Sequence, residues 1–212
     1  MELIPSAIED IVNNVDHQFS SLGLHLNRPK TQIMCICRNR KVEVPAHYKS
    51  EIKILGVTFQ DNFKWHSHIN QSIKKASSRL YPLRCLKGFL NTKSLMLIYT
   101  SYIRSILEYA SPVFIGLDVT SELLLERLQK RAMYTINNSD PPEIQPLQER
   151  RQNQSTTLYK NAYSNPSHSL HHLIPTVLPR SNTFNQPYSR TNIRLNSFIP
   201  KTTMLINERQ RF

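Results

Sequence analysis

A chain of 212 residues, 39% of them hydrophobic, is long enough for one domain, or for a core of about 140 residues with an appended tail. A formal net charge of +12 and a pI of about 9.8 make nucleic acid the leading partner, ahead of an anionic membrane surface or an acidic protein. Three cysteines, four glycines and no run of about eighteen apolar residues argue against a disulfide framework, a glycine-rich phosphate loop and a membrane-spanning helix. The opening MELIPSAIEDIV has early acidic residues and no long apolar core, so it does not read as a signal peptide. The expected location is intracellular, in nucleus or cytoplasm, with reduced thiols and no membrane partner.

From residue 6 to 23 the spacing predicts an amphipathic helix. Ser6 and Glu9 have the arrangement of a capping box, and Ile8, Ile11, Val12, Val15, Phe19 and Leu22 repeat at helical intervals. Gly23 sits where a left-handed residue would end it. Thr31 to Cys37 reads as a short strand with Ile33, Cys35 and Cys37 on one side, Arg38 to Lys41 as a polar turn, and Val42 to Val44 as a second brief strand. The stretch Glu51 to Trp65, EIKILGVTFQDNFKW, then reads as an apolar strand carrying Gly56 and closing in a turn at Asp61 and Asn62. A glycine inside a strand marks a bulge or a close approach by another backbone or a ligand.

Beyond that turn the hydrophobic period changes from two to about three and a half. Ile69, Ile73, Ala76, Leu80 and Leu83 line one face of a first helix, with Pro82 expected to kink or end it. Thr92 caps a second, with Leu95, Ile98, Tyr99, Tyr102, Ile103 and Ile106 inward and Pro112 ending it. Thr120 or Ser121 caps a third, whose apolar side is Leu124, Leu125, Leu128, Ala132 and Ile136. Three such helices pack as a small bundle. Lys74, Lys75, Arg79, Arg127, Lys130 and Arg131 fall largely off the apolar faces and are the candidates for phosphate contact, unless they are plain solvated surface. Tyr99, Tyr102 and Tyr109 alternate with Arg104 and offer base stacking, but core is the preferred place for Tyr99 and Tyr102. A helix from Glu143 to about Tyr163 follows, and from Asn165 the Asn-, Ser-, His- and Pro-rich composition predicts a loosely ordered tail.

The segments GLHLNRPKTQIM, IKILGVTFQDNFKWHSHI, KKASSRLYPLRCLKGF, LIYTSYIRSILEYASPVF and LERLQKRAMYTI occur in an order and spacing that resembles the C-terminal part of the reverse transcriptase of non-LTR (LINE-type, jockey-like) retrotransposons. The later segments LQERRQNQSTTLYK and SRTNIRLNSFIP look like the region that follows the thumb in those proteins. The resemblance implies an α+β, mostly α fold: a palm-derived helix and strand block over 1–65, a thumb-like three-helix bundle over 66–138, a helical connection over 139–164 and a loosely ordered tail over 165–212. It places Lys30 at the motif D lysine, a general acid for the pyrophosphate leaving group. It also places Leu55 and Gly56 in the primer grip, and the six basic residues along the phosphates of an RNA or RNA–DNA duplex.

Family polymerases hold two metal ions on one aspartate and a YADD-type pair, and no YADD-type motif stands in these residues. What the resemblance implies is therefore an RNA-directed DNA polymerase fragment, a nucleotidyltransferase in kinship, inactive alone and without a cofactor of its own. Mg2+ belongs to an intact polymerase, and a polypeptide carrying the missing palm and fingers is a further expected partner. Two alternatives stay open: a stand-alone basic nucleic-acid-binding module, and a non-functional fragment. A zinc site from Cys35, Cys37, His66 and His68 is disfavoured, since one intervening residue between the cysteines is unlike structural zinc spacing. His168, His171 and His172 read as solvated loop residues, and Asp140 with Glu143 as an exposed proline turn.

Overall fold

A computed structural model describes residues 3–36, 47–179 and 181–209. The chain divides into two compact units, Met1–Ile52 and Lys53–Phe212.

The first unit is built on helix α1 (Leu3–Ser21). It begins ahead of Ser6, which is therefore helical rather than the cap. Its end is as the sequence indicates: Gly23 has φ +73, Leu24 N–H donates to Phe19 C=O at 2.9 Å and Gly23 N–H to Ser20 C=O at 3.1 Å, a Schellman closure. The chain then turns back, with the Asp16 carboxylate accepting from Leu26 N–H and from Arg28, and Asn27 capping the 3-10 turn Arg28–Lys30. Residues 31–36 do not form the expected strand. Lys49 N–H bonds Ile33 C=O at 2.8 Å, but an extended segment becomes a strand only when a ladder repeats along it, and here it does not. Cys37, the turn at 38–41 and the strand expected at 42–44 lie outside the described residues. From residue 8 to 52 no described side chain is fully buried, and the apolar stripe of α1 is open at Ile11 (62% exposed) and Phe19 (39%), with Leu22 exposed just past its end.

The single strand expected over Glu51 to Phe59 is instead a hairpin. Strands β1 (Glu51–Ile54) and β2 (Val57–Gln60) are joined by Leu55 and Gly56 alone, at φ +48 and +86. Positive φ at both central residues is the type I′ turn, whose twist matches that of a two-stranded ribbon. Gly56 is thus a turn residue and not a bulge. Trp65 packs its ring on Phe59 and Phe114, joining the hairpin's exit to the bundle.

Helix α2 (His66–Ser78) ends one residue before α3 (Leu80–Leu86), and Pro82 falls in the first turn of α3, where a missing N–H costs nothing. Helix α4 (Thr92–Ile98) runs through a π-helical segment, Tyr99–Arg104, into α5 (Ser105–Glu108). The caps fall short of the residues read from sequence. Asn91 rather than Thr92 accepts from Ser94 N–H, and Asp118 rather than Thr120 or Ser121 begins α6 (Val119–Ile136), accepting from the backbone and hydroxyl of Ser121. Ile69, Ala76, Leu80, Leu83, Leu95, Tyr99, Ile103, Leu125, Leu128, Ala132 and Ile136 form one core, as their periodicity requires, and Leu147 of α7 (Leu147–Ser164) completes it. Tyr102, expected inside, is 47% exposed, because the π segment turns it away from the core.

The C-terminal region corrects the expectation of a loose tail. Helix α9 (Phe198–Arg209) packs against α7, and against α9 in turn lie helix α8 (Asn192–Leu195) and strand β4 (Thr183–Phe184), which pairs with β3 (Val177–Leu178) in a two-stranded sheet. Tyr159, Phe184 and Ile206 form a second core, each burial contributing about 1.5–3 kcal/mol. The Asn207 amide bonds both backbone groups of Phe184, at 2.9 and 2.8 Å, and the Tyr159 hydroxyl meets Thr203 Oγ1 at 3.0 Å. Gly116 lies so close to α8 that a Cβ there would stand 2.3 Å from Asn196 C=O. His168 and His171 are half-buried rather than solvated: His168 Nδ1 accepts from Leu170 N–H, and His171 Nδ1 donates to Ala162 C=O at 2.9 Å near the end of α7.

Candidate nucleic-acid interface

Charge is segregated along the bundle. Between Asp61 and Glu108 the sequence contains no Asp or Glu, while Lys64, Lys74, Lys75, Arg79, Arg84, Lys87, Lys93 and Arg104 fall there. This acid-free stretch makes up the whole of α2, α3 and α4. Glu108, which ends it, is turned inward: Arg150 bonds it with both nitrogens of its fork, Nη2 to Oε2 at 3.1 Å, and Arg104 and Gln154 stand at 3.8 and 3.5 Å.

Helix α6 repeats the pattern on its own surface. Its acids look toward α7, Glu122 to Arg151 at 3.8 Å and Glu126 to Gln148 N–H at 3.2 Å. Burial raises the Glu122 carboxyl above its ordinary value, against the opposing pull of Arg151. On another side Arg127, Lys130, Arg131 and Tyr134 are all exposed at i, i+3, i+4 and i+7, which is a single helical face. With the acids drawn into pairs, that face carries cations and one aromatic ring, the combination that follows a phosphate backbone.

The six basic residues singled out by sequence are thus grouped unequally. Arg127, Lys130 and Arg131 share one stripe, and Lys74 and Lys75 are exposed neighbours on α2. Arg79 is engaged in the bundle: its guanidinium lies 3.9 Å over the Tyr102 ring and donates to Tyr102 C=O at 3.0 Å. Lys30 belongs to the other unit, exposed on its 3-10 turn.

The hairpin tip is held from below. Tyr109, after the last turn of α5, donates its hydroxyl to Leu55 C=O at 2.7 Å, and its ring lies 3.4 Å from where a Cβ on Gly56 would be. Leu55 itself points outward, 87% exposed. Sequence reasoning treated Tyr109 only as a stacking candidate; no spacing rule connects it to a turn 54 residues earlier. Beneath β2 the buried His68 ring accepts from Thr58 N–H at 3.3 Å through Nδ1 and is therefore neutral. Burial first, then Lys75 and Lys53, push its pKa below the usual 6.5.

A cleft of about 480 Å³ opens where Phe59, Phe63 and Trp65 face Asn192 and Asn196 of the α8 region. His66 and Asp118 pair across its mouth at 3.5 Å. Burial would raise the Asp118 carboxyl, but the Ser121 hydrogen bonds and His66 together bring it below its ordinary value. Among the described residues no three His, Cys, Asp or Glu side chains gather around a point where an ion would sit, and no helix is long and apolar enough to cross a membrane. Compared with known proteins, the chain matches no family model, no curated sequence and no solved structure.

Proposed function

We propose that these residues are the palm end, primer grip and thumb of a non-LTR retrotransposon reverse transcriptase, and that their work is to hold an RNA or RNA–DNA duplex. The observation that supports this most is the charge segregation: an acid-free run of three helices, beside a helix whose acids face inward and whose cations face out. The sequence resemblance adds an order of parts, a primer-grip segment at Leu55 and Gly56 followed by a basic helical bundle, and the chain has a hairpin turn at those two residues ahead of its bundle. In this reading Leu55 and Gly56 meet the primer strand, Arg127, Lys130, Arg131, Lys74 and Lys75 take phosphates, and Lys30 stands in the motif D position. Nucleotide transfer needs metal-holding carboxylates, and these 212 residues contain no YADD-type motif. The duplex is held here without being extended.

A second reading, a self-sufficient basic binding module, is favoured by one observation: Lys53–Phe212 has two cores of its own. Both readings require binding to an RNA–DNA duplex whose logarithm falls linearly with the logarithm of salt, by about one unit per phosphate contact. They part on the partner. Adding a polypeptide with the remaining palm and fingers of such an enzyme should restore metal-dependent primer extension in the first and change nothing in the second. A chain that binds no duplex at low ionic strength refutes both.

A further inference from the structure

Among the described residues the most exposed aromatic ring is Phe89, 86% exposed in the turn between α3 and α4. The turn is not slack. Phe89 N–H and Leu90 N–H both donate to Leu86 C=O at 3.0 Å, closing α3, and the Asn91 side chain opens α4 on Ser94 N–H at 2.9 Å. A turn fastened at both ends holds its ring in solvent, and among the described residues no other ring or cation is stacked on it, in contrast with Tyr102 beneath Arg79. Lys87 and Lys93 flank it, inside the run that has no acidic residue.

An exposed aromatic ring with one lysine before it and another after it in the chain suits a nucleobase that has no pairing partner and so exposes its own face for stacking. We propose that Phe89 stacks on an unpaired base where a duplex gives way to a single strand, with Lys87 and Lys93 taking the phosphates on either side. This rests on the nucleic-acid-holding role above and adds to it a preference for junctions over blunt duplex.

The test compares a blunt RNA–DNA duplex with the same duplex carrying a short single-stranded extension, at one fixed salt concentration. The intact chain should bind the extended form more tightly. Phe89→Ala should lose about tenfold on the extended duplex and leave the blunt one unchanged, Phe89→Tyr should keep the preference, and Phe89→Leu, as apolar but without a ring system, should lose it as alanine does. In Phe89→Trp the added indole should be quenched by the extended duplex and not by the blunt one. Equal binding of both duplexes by the intact chain, or a leucine variant that retains the preference, overturns the stacking role while leaving duplex binding in place. A blue shift of the added indole on anionic vesicles, with no quench by the junction, overturns it in favour of a membrane contact. Failure to bind either duplex overturns both proposals. Because the side chain is exposed, unchanged thermal unfolding of each variant is expected and serves as the folding control.

Discussion

Leu55 and Gly56 sit side by side in one turn, and substitutions at the two should act in opposite directions. Placing alanine at Gly56 forces a Cβ into φ +86, which costs about 1–2 kcal/mol. That Cβ would stand 3.4 Å from the Tyr109 ring, an ordinary van der Waals contact, so the 2.7 Å bond from the Tyr109 hydroxyl to Leu55 C=O can stay in place. The cost is therefore that of the backbone alone, about 1–2 kcal/mol. Leu55 already bears the left-handed penalty at φ +48, and its side chain, 87% exposed, gives little packing in return. Asparagine tolerates that conformation, and Asn-Gly is the preferred pair for this turn, so Leu55→Asn should stabilise by about 1 kcal/mol. In a chain of this size each kcal/mol moves Tm by about 2–4 °C, so thermal unfolding should fall by about 2–8 °C in Gly56→Ala and rise by about 2–4 °C in Leu55→Asn. Shifts of the same sign in both variants would refute the turn assignment.

Gly116→Ala should cost about 2–3 kcal/mol, since the clash is with Asn196 backbone and cannot be relieved by a side-chain rotation; limited proteolysis should then release the segment carrying α8 and α9 far faster than in the parent chain. Tyr99→Phe removes the 2.8 Å bond to Gln129 Oε1 in a fully buried setting and should destabilise by about 1–3 kcal/mol in urea unfolding, with an unchanged m-value. His68 has a lowered pKa when folded, so its contribution is fully present above the unfolded value of 6.5 and is lost as pH falls from there through the folded value. Stability measured on both sides of pH 6.5 should therefore drop more in the parent chain than in His68→Gln, which has no proton to take up.

The bundle was legible in the sequence because Ile69, Ala76, Leu80, Leu95, Ile103, Leu125 and Ala132 each had to be buried, and a helix can bury them only at helical spacing. Cap residues were displaced by one to three positions because Asn91, Thr92, Asp118, Thr120 and Ser121 are all capable acceptors, and only backbone dihedrals decide between neighbours. The hairpin was hidden because leucine at positive φ is not a turn signal. The C-terminal packing was hidden for a different reason. Ser155, Thr156, Thr202 and Thr203 are buried where α7 meets α9, so residues that composition counts as polar serve there as small interior surface. At the other end, α1 has the pattern of a core helix yet leaves its stripe open at Ile11 and Phe19, since periodicity says which face seeks burial and not whether something covers it. Of the interface, the basic side chains could be listed from sequence. Their sorting could not, because whether Glu122, Glu126 and Glu108 neutralise those cations depends on Arg150, Arg151 and Gln148, which come from a later helix.

The charge segregation on α6 is tested most directly by measuring RNA–DNA duplex affinity across a salt series for the intact chain and for the combined variant Arg127→Gln, Lys130→Gln, Arg131→Gln. These side chains are exposed and off the core, so folding should be unaffected. If the stripe follows the phosphates, the logarithmic salt slope should flatten by up to about three units, one for each contact removed, with affinity falling accordingly at low salt. An identical slope in the two proteins would contradict an interface on this face of α6.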